Sequence, residues 1–155
     1  MAPKVFILNG VNLGTLRQRR PEVYGTLTLN DIERFLKSEF PNVEFEFRQT
    51  DYEGEMVGFV REAGGSAGLA INPGAWTHYS YALHDALEAV GVRKVEVHLS
   101  NVHAREEWRR HSVVSPAVDA VVAGMGAHGY AAAVRYLLQR GEGRIGGGGN
   151  TVGGA

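Results

Sequence analysis

Apolar and polar residues follow two different periods along this chain, and the two periods alternate. Val43, Phe45 and Phe47 are separated by charged residues, a period of two that predicts a half-buried strand. Ile32, Phe35 and Leu36 have the spacing of one face of a helix instead. Short runs of β-type residues that end at Asn or Gly, such as Val5–Leu8, predict further strands that are buried on both faces.

Together these patterns predict five strands and four helices. The strands are Val5–Leu8, Val43–Gln49, Gly68–Ile71, Lys94–Leu99 and Val118–Ala123. The helices run from a cap at Thr28 or Asn30 to about Phe40, then over Glu53–Ala63, Tyr79–Val90 and Tyr130–Leu138. Val11–Gly25 is polar and contains glycine and proline, so we predict a loop there.

Strands and helices alternate throughout, which predicts an α/β fold with a parallel sheet and helices on both faces. The simplest arrangement is a flavodoxin-like three-layer sandwich with strand order 2-1-3-4-5. Residues 1–140 are predicted to form a single catalytic domain. The Gly-rich segment 141–155 has little apolar content and is predicted to be a disordered tail.

Composition narrows the class of protein. With 155 residues, 44% of them hydrophobic, the chain suits one domain with a real core. The net charge of −1 favours neither nucleic acid nor an anionic membrane as partner. The absence of Cys excludes disulfides, thiolate catalysis and cysteine-ligated metals. No signal peptide or membrane-spanning run is recognisable, so we expect a cytoplasmic protein.

Candidate chemistry lies at the ends of predicted strands, where α/β sheets bind ligands. Glu96 and His98 lie two apart on the fourth strand, which suggests an imidazole oriented by a carboxylate. Arg109 follows and could clamp a substrate carboxylate. An exposed polar strand and a solvated helix face are the alternative interpretations. His84 and His128 are expected to be structural.

Three further clusters follow the other strand ends. Asn12 could hydrogen-bond a neutral substrate oxygen or simply form a turn, since no phosphate-binding glycine motif is present. In Arg17–Gly25, an Arg near Tyr24 would lower the phenol pKa and create a general base, although a solvated basic loop is the alternative. Asn72–Ser80 leads into a helix and could bind a carboxylate or hydroxyl groups, or Thr77 or Ser80 could be an ordinary cap.

In this order, the four clusters resemble those of the type II 3-dehydroquinate dehydratases, or type II dehydroquinases. The resemblance extends from about Lys4 to Leu138. It is most specific at Ile71–Ser80, Glu96–Arg105, Arg109-Arg110-His111-Ser112 and Ser115-Pro116. It implies a flavodoxin-like fold, no metal or cofactor, and assembly as a dodecamer of four trimers.

The resemblance also implies catalytic roles. Tyr24 would remove the C2 proton of 3-dehydroquinate, and Arg19 in the lid would lower the pKa of Tyr24. Asn12 would hold the water that stabilises the enolate. His98 would protonate the departing C1 hydroxyl while Glu96 orients its imidazole.

Substrate-binding roles are implied for six more residues. Asn72, His78 and Arg109 would bind the hydroxyls and the carboxylate of the substrate. The backbone of Leu99-Ser100 would also hold the carboxylate, and Asp85 would reach the lid of a neighbouring subunit.

Departures from the family pattern are concentrated in the first loop. Val11 replaces the usual Pro and Arg17 replaces the usual Gly, while Asn12, Arg19 and Tyr24 keep their spacing. His84 replaces a usual Arg, which is expected to alter a subunit contact.

The expected function is dehydration of 3-dehydroquinate to 3-dehydroshikimate by anti elimination through an enolate, in the shikimate pathway or in quinate catabolism. The alternative is a non-catalytic flavodoxin-like module that binds a small acid or a nucleotide.

Overall fold

The computed structural model describes residues 1–18, 20–24 and 26–139, without the side chains of Arg17 and Tyr24. Arg19 and the predicted tail at 141–155 lie outside the described residues, so the domain boundary near residue 140 stays a prediction. Among the described residues, no helix is both long and apolar enough to cross a membrane.

Five parallel strands form one sheet in the order β2-β1-β3-β4-β5, which confirms the predicted flavodoxin-like topology. The strands are β1 (Lys4–Asn9), β2 (Glu44–Gln49), β3 (Gly68–Asn72), β4 (Lys94–His98) and β5 (Ala120–Ala123). Sequential order reverses beside β1, where β3 lies on the side opposite β2. Ligands in this class of fold bind at the carboxyl ends of strands near such a reversal.

Alternate residues of the strands face two separate helical layers. The helices are α1 (Pro21–Tyr24), α2 (Leu29–Glu39), α3 (Glu53–Glu62), α4 (Tyr81–Ala89) and α5 (His128–Leu137). Val5 and Ile7 pack in one core cluster with residues of α2 and α5. Phe6 and Leu8 pack in the other cluster with residues of α3 and α4. This alternation explains why the central residues of β1, Val5–Leu8, are all apolar.

Local hydrogen bonds fix where two of the helices begin. Thr28 caps α2 through a capping box, since its hydroxyl accepts from Asp31 N at 3.2 Å and the Asp31 carboxylate accepts from Thr28 N at 2.9 Å. The alternative cap at Asn30 is therefore wrong. Ser80 caps α4 by accepting from Leu83 N at 3.1 Å, so that helix begins at Tyr81 and not at Tyr79.

Several predicted boundaries differ because short helical turns occupy the connections. The predicted loop Val11–Gly25 contains a 3₁₀ segment over Leu13–Gln18 as well as α1, with Leu13 and Leu16 buried in the core. Helix α5 begins two residues earlier than predicted, at His128. Strand β5 begins only at Ala120, because Val118 N donates to Ser115 O and closes a 3₁₀ turn over Ser115–Ala117.

Candidate active site

A cavity of about 160 Å³ opens at the carboxyl ends of β1, β3 and β4. Seven of the residues predicted for the site line it, and they come from four segments of the chain. These residues are Asn12, Asn72, His78, His98, Leu99, Ser100 and Arg109. The topology brings them together because parallel strands present their carboxyl ends at the same edge of the sheet.

The loops after β1 and β3 approach each other closely and form one wall. Gly10 N donates to Asn72 O at 2.8 Å, and a Cβ at Gly10 would lie 2.5 Å from Pro73 O. Gly74 has a φ of 61°, and a Cβ there would lie 2.8 Å from Val11 O. Both contacts exclude a side chain, so glycine is required at each position for this wall to close.

Asn12 adopts a left-handed backbone conformation at the cavity, with a φ of 66°. Asparagine tolerates this region better than most residues. The Asp51 carboxylate holds the turn by accepting from Asn12 N at 2.8 Å. The conformation is thus fixed through the backbone, and the Asn12 side chain lines the cavity.

The amide of Asn72 is held at both of its polar atoms. Its Oδ1 accepts from Gly74 N at 3.1 Å, and its Nδ2 donates to the Tyr130 hydroxyl at 3.2 Å. Tyr130 in turn donates to Asn9 Oδ1. Burial raises the pKa of Tyr130 well above its usual range, so its hydroxyl keeps its proton. These bonds fix the orientation of the Asn72 amide, with Oδ1 toward Gly74 N and Nδ2 toward the Tyr130 hydroxyl.

Glu96 and His98 form a buried pair at the end of β4. The Glu96 side chain is fully buried, and His98 Nε2 lies 3.1 Å from Glu96 Oε1. Burial pushes the pKa of Glu96 upward, but the hydrogen bond and charge of His98 and the hydroxyls of Ser115 and Thr77 outweigh it, so the pKa is lowered. An ionised Glu96 can only accept a hydrogen bond, so Nε2 carries a proton and donates to Glu96. Nδ1 is the second ring nitrogen, and the His98 side chain lines the cavity.

His78 is held in one tautomer at the same cavity. Its Nδ1 lies 2.7 Å from His111 O, and a carbonyl can only accept, so Nδ1 carries the proton. The pKa of His78 is lowered, first by burial and then by the charges of His98 and Arg109. His78 is therefore neutral near pH 7, and its Nε2 is a hydrogen-bond acceptor.

Two guanidinium groups complete the polar lining. Arg109 stacks on the Trp108 ring at 4.0 Å and forms an ion pair with Glu106. Arg105 Nη1 donates to Ser100 Oγ at 3.2 Å and lines the cavity as well. Sequence reasoning placed Arg105 in a polar segment but gave it no role. Two cations beside Asn72 and His78 favour an anion that also carries hydroxyl groups.

Among the described residues predicted for substrate binding, one does not line this cavity. Asp85 is exposed on α4 and is not among the residues that line the cavity. Arg19 and the side chain of Tyr24 lie outside the described part of the structure, so their proposed roles rest on the sequence.

The remaining histidines singled out in the sequence lie elsewhere. His84 Nδ1 lies 2.7 Å from Val113 O, and His128 packs edge-on against Phe35. His84, Asp85 and Glu88 bring three possible metal-ligand atoms within 4.8 Å of one another on α4. These three residues do not line the cavity.

The comparisons with known proteins agree with this architecture. The family model for class II dehydroquinases matches residues 3–138. The chain belongs to this family. A 3-dehydroquinate dehydratase of Kineococcus radiotolerans is 53% identical over 141 residues, covering 88% of this chain and 96% of the relative. One of Chlorobaculum tepidum is 49% identical over 144 residues, covering 91% and 97%.

A solved structure of the family has the same fold. The type II dehydroquinase from Propionibacterium acnes superposes with a TM-score of 0.83 at 42% identity, covering 88% of this chain and 97% of that one.

Proposed function

We propose that this cavity binds 3-dehydroquinate and removes water from it to give 3-dehydroshikimate. The observation that carries the proposal is the buried Glu96–His98 pair at a cavity lined by amides, a neutral histidine and two arginines. Membership in the class II dehydroquinase family supports the substrate and the reaction.

In the first step, Tyr24 removes the C2 proton of the substrate as a phenolate. The C–H electrons move into the enolate, and the negative charge develops on the C3 oxygen. Asn12, held at the cavity by its turn, binds the water that stabilises this oxygen. Arg19 closes over the substrate and keeps the pKa of Tyr24 low, because a nearby cation favours the phenolate.

In the second step, His98 gives its Nδ1 proton to the C1 hydroxyl, which departs as water. The enolate electrons form the C1–C2 double bond, and the C3 carbonyl is restored. Exchange with solvent then takes the proton from Tyr24 and returns one to His98. Since Nε2 faces Glu96, only the imidazolium carries a proton on Nδ1, and an ionised Glu96 stabilises that form.

The substrate-binding roles implied by the resemblance are compatible with the same geometry. Arg109 binds the carboxylate together with the backbone of Leu99 and Ser100. Asn72 donates to a substrate hydroxyl, and His78 accepts from one through Nε2.

The fully assembled enzyme is proposed to be a dodecamer of four trimers. Exposed aromatic side chains support a subunit interface, since Tyr79, Tyr81 and Trp108 are each more than half exposed in the single chain. Asp85 follows Tyr81 by one turn of α4 and would reach the lid of a neighbouring subunit. The cytoplasmic location likewise stays a prediction.

The test is an absorbance assay for the conjugated enone product. Activity should survive EDTA, and borohydride added with substrate should not inactivate, because none of the chain's three lysines, Lys4, Lys37 and Lys94, lines the cavity. Tyr24→Phe should lower kcat at least about a hundredfold, the scale of general-base catalysis. If the Tyr24→Phe variant stayed active, another residue would have to be the general base.

The non-catalytic alternative has its own outcome. Absence of enone formation, combined with thermal stabilisation by a nucleotide or flavin and not by quinate-like acids, would replace the proposed reaction with a binding function.

A further inference from the structure

The carboxylate of Glu96 is surrounded by three hydroxyl groups as well as by His98. Oε1 accepts from Thr77 Oγ1 and from Ser112 Oγ at 3.1 Å, and Oε2 accepts from Ser115 Oγ. We call Thr77, Ser112 and Ser115 the hydroxyl cage. With His98, the cage supplies four donors, which matches the roughly four acceptor positions of an ionised carboxylate.

The direction of one of these bonds is fixed independently of Glu96. Ser112 Oγ accepts from Val114 N at 3.2 Å and from Ser115 N at 2.9 Å. A hydroxyl oxygen has two lone pairs, so both are occupied and its single proton is left to donate. Ser112 can therefore pair with Glu96 only if Glu96 is the acceptor. A proton on Oε1 of Glu96 would face the donors of Thr77, Ser112 and His98.

The other ionisable side chains that line a cavity with Glu96 are all basic. His78 interacts electrostatically with Glu96, and a second cavity of about 440 Å³ brings further basic side chains alongside it. Those side chains are His103, Arg109, Arg110 and His111. Among the described residues that line this second cavity, Glu96 is the one acidic side chain.

We propose that Thr77, Ser112 and Ser115 are positioning residues that hold Glu96 as an ionised acceptor and so keep His98 charged, with Nδ1 at the cavity. The inference rests on the proposed role of His98 as the acid. Ordinary capping does not account for the cage, because Ser80 caps α4 and the Thr77 hydroxyl bonds to Glu96. The proposal also gives a function to Ser112 and Ser115, two residues that carried part of the family resemblance.

Step-resolved kinetics can separate positioning from a general loss of structure. Deuterium uptake at C2 of 3-dehydroquinate reports the first step, and enone formation reports the second. Product formation and exchange both begin with proton abstraction by Tyr24, so the ratio of product formation to exchange cancels any effect on the base. The variants are Thr77→Val, which keeps the shape of the side chain, and Ser115→Ala, each assayed between pH 6 and 8.

Each of the two variants should lower the ratio of product to exchange about tenfold at pH 6, the scale of one hydrogen bond to a charged group. The deficit should grow as the pH rises, because an imidazolium that Glu96 stabilises less well loses its Nδ1 proton at a lower pH. Thr77→Ser restores a hydroxyl and should recover most of the ratio.

Thr50→Val is the matched control. Thr50 is buried, and its hydroxyl donates to the Glu55 carboxylate at 2.5 Å, away from both cavities. This substitution should cost stability and leave the ratio unchanged.

The outcomes separate this inference from the proposed function. If His98→Ala lowers the ratio but Thr77→Val and Ser115→Ala, shown to be folded by circular dichroism, do not, the cage is only structural and the inference is wrong. If His98→Ala leaves the ratio unchanged, the proposed acid is wrong, and the inference fails with it. Ser115 is only partly buried, so Ser115→Ala decides the question if Thr77→Val does not fold.

Discussion

At the scale of single residues, His98 contacts Glu96 through Nε2 and also lines the cavity. This geometry gives the two ring nitrogens different functions. The Nε2 proton is committed to Glu96 at 3.1 Å, so proton transfer to substrate must use Nδ1. A neutral ring in this tautomer has no proton there. In the proposed reaction the acid is therefore the imidazolium, and the buried carboxylate at 3.1 Å is placed to stabilise its charge.

His98→Ala should abolish most turnover while the enzyme still exchanges the C2 proton of 3-dehydroquinate with solvent deuterium. The reason is that proton abstraction depends on Tyr24, and only the departure of the C1 hydroxyl needs the acid. NMR of deuterium incorporation and of product measures both steps. His103→Ala is the control and should be much milder, because His103 is exposed and does not line the main cavity. Loss of exchange in a folded, substrate-binding His98→Ala variant would assign His98 to the first step.

The lowered pKa of Glu96 also makes stability depend on pH. A carboxyl whose pKa is lower in the folded state stabilises the fold above its ordinary pKa of 4.5, and this contribution disappears as the pH falls through the lowered value. Wild type should thus lose stability as the pH falls below 4.5, relative to Glu96→Gln, which has no such proton uptake. Urea unfolding of both proteins across this pH range measures the difference, and parallel curves would contradict it.

At the scale of elements, helix α5 supports the cavity through hydrogen bonds to the carboxyl ends of two strands. Tyr130 reaches from its first turn to the ends of β1 and β3, where it joins Asn9 and Asn72, two residues paired in register. The carboxyl ends of two strands are thereby linked to a helix more than 50 residues later in the chain. Because Asn72 lines the cavity, this link also positions the amide that is proposed to bind substrate.

Tyr130→Phe should lower the free energy of unfolding by about 1–3 kcal/mol, the cost of leaving buried hydrogen-bonding groups without a partner. It should also raise KM more than it lowers kcat, since the Asn72 amide loses one of its two anchors. Tyr136→Phe on the same helix is the matched control and should change stability by less than about 0.5 kcal/mol. Equal effects from the two substitutions, measured by denaturant unfolding, would show that the Tyr130 hydroxyl contributes nothing.

At the scale of the whole molecule, the exposed position of Asp85 connects activity with assembly. Asp85 is exposed on α4 and does not line the cavity of its own chain, which fits the proposal that it acts on the lid of a neighbouring copy. Size-exclusion chromatography with light scattering should show a multiple of three subunits, with twelve expected.

Asp85→Ala should lower activity, and Glu88→Ala, exposed on the same helix and one turn further along, should not. A fully active monomer at assay concentration would contradict the role of Asp85.

The order of strands and the edge that carries the site were available from the sequence. Period-two and period-3.6 patterns are local, and five strands alternating with helices leave few topologies under the right-handed crossover rule. The polar residues that end β1, β3 and β4 were therefore recognisable as neighbours before any contact was known. Exact ends of elements were less predictable, because Ser80 and Val118 are drawn into caps and turns by hydrogen bonds that the periodicity does not encode.

What only the tertiary structure decided is which buried polar groups are paired. Thr77, Ser112 and Ser115 come from two connections separated by more than 30 residues, yet they share the carboxylate of Glu96. Tyr130 entered the sequence analysis only as the first residue of a predicted helix, and its hydroxyl bond to Asn9 spans 121 residues. Such pairs depend on how the crossovers place whole helices against the sheet. Hydrophobic spacing specifies the elements, whereas the partners of a buried hydroxyl are determined only when those elements pack.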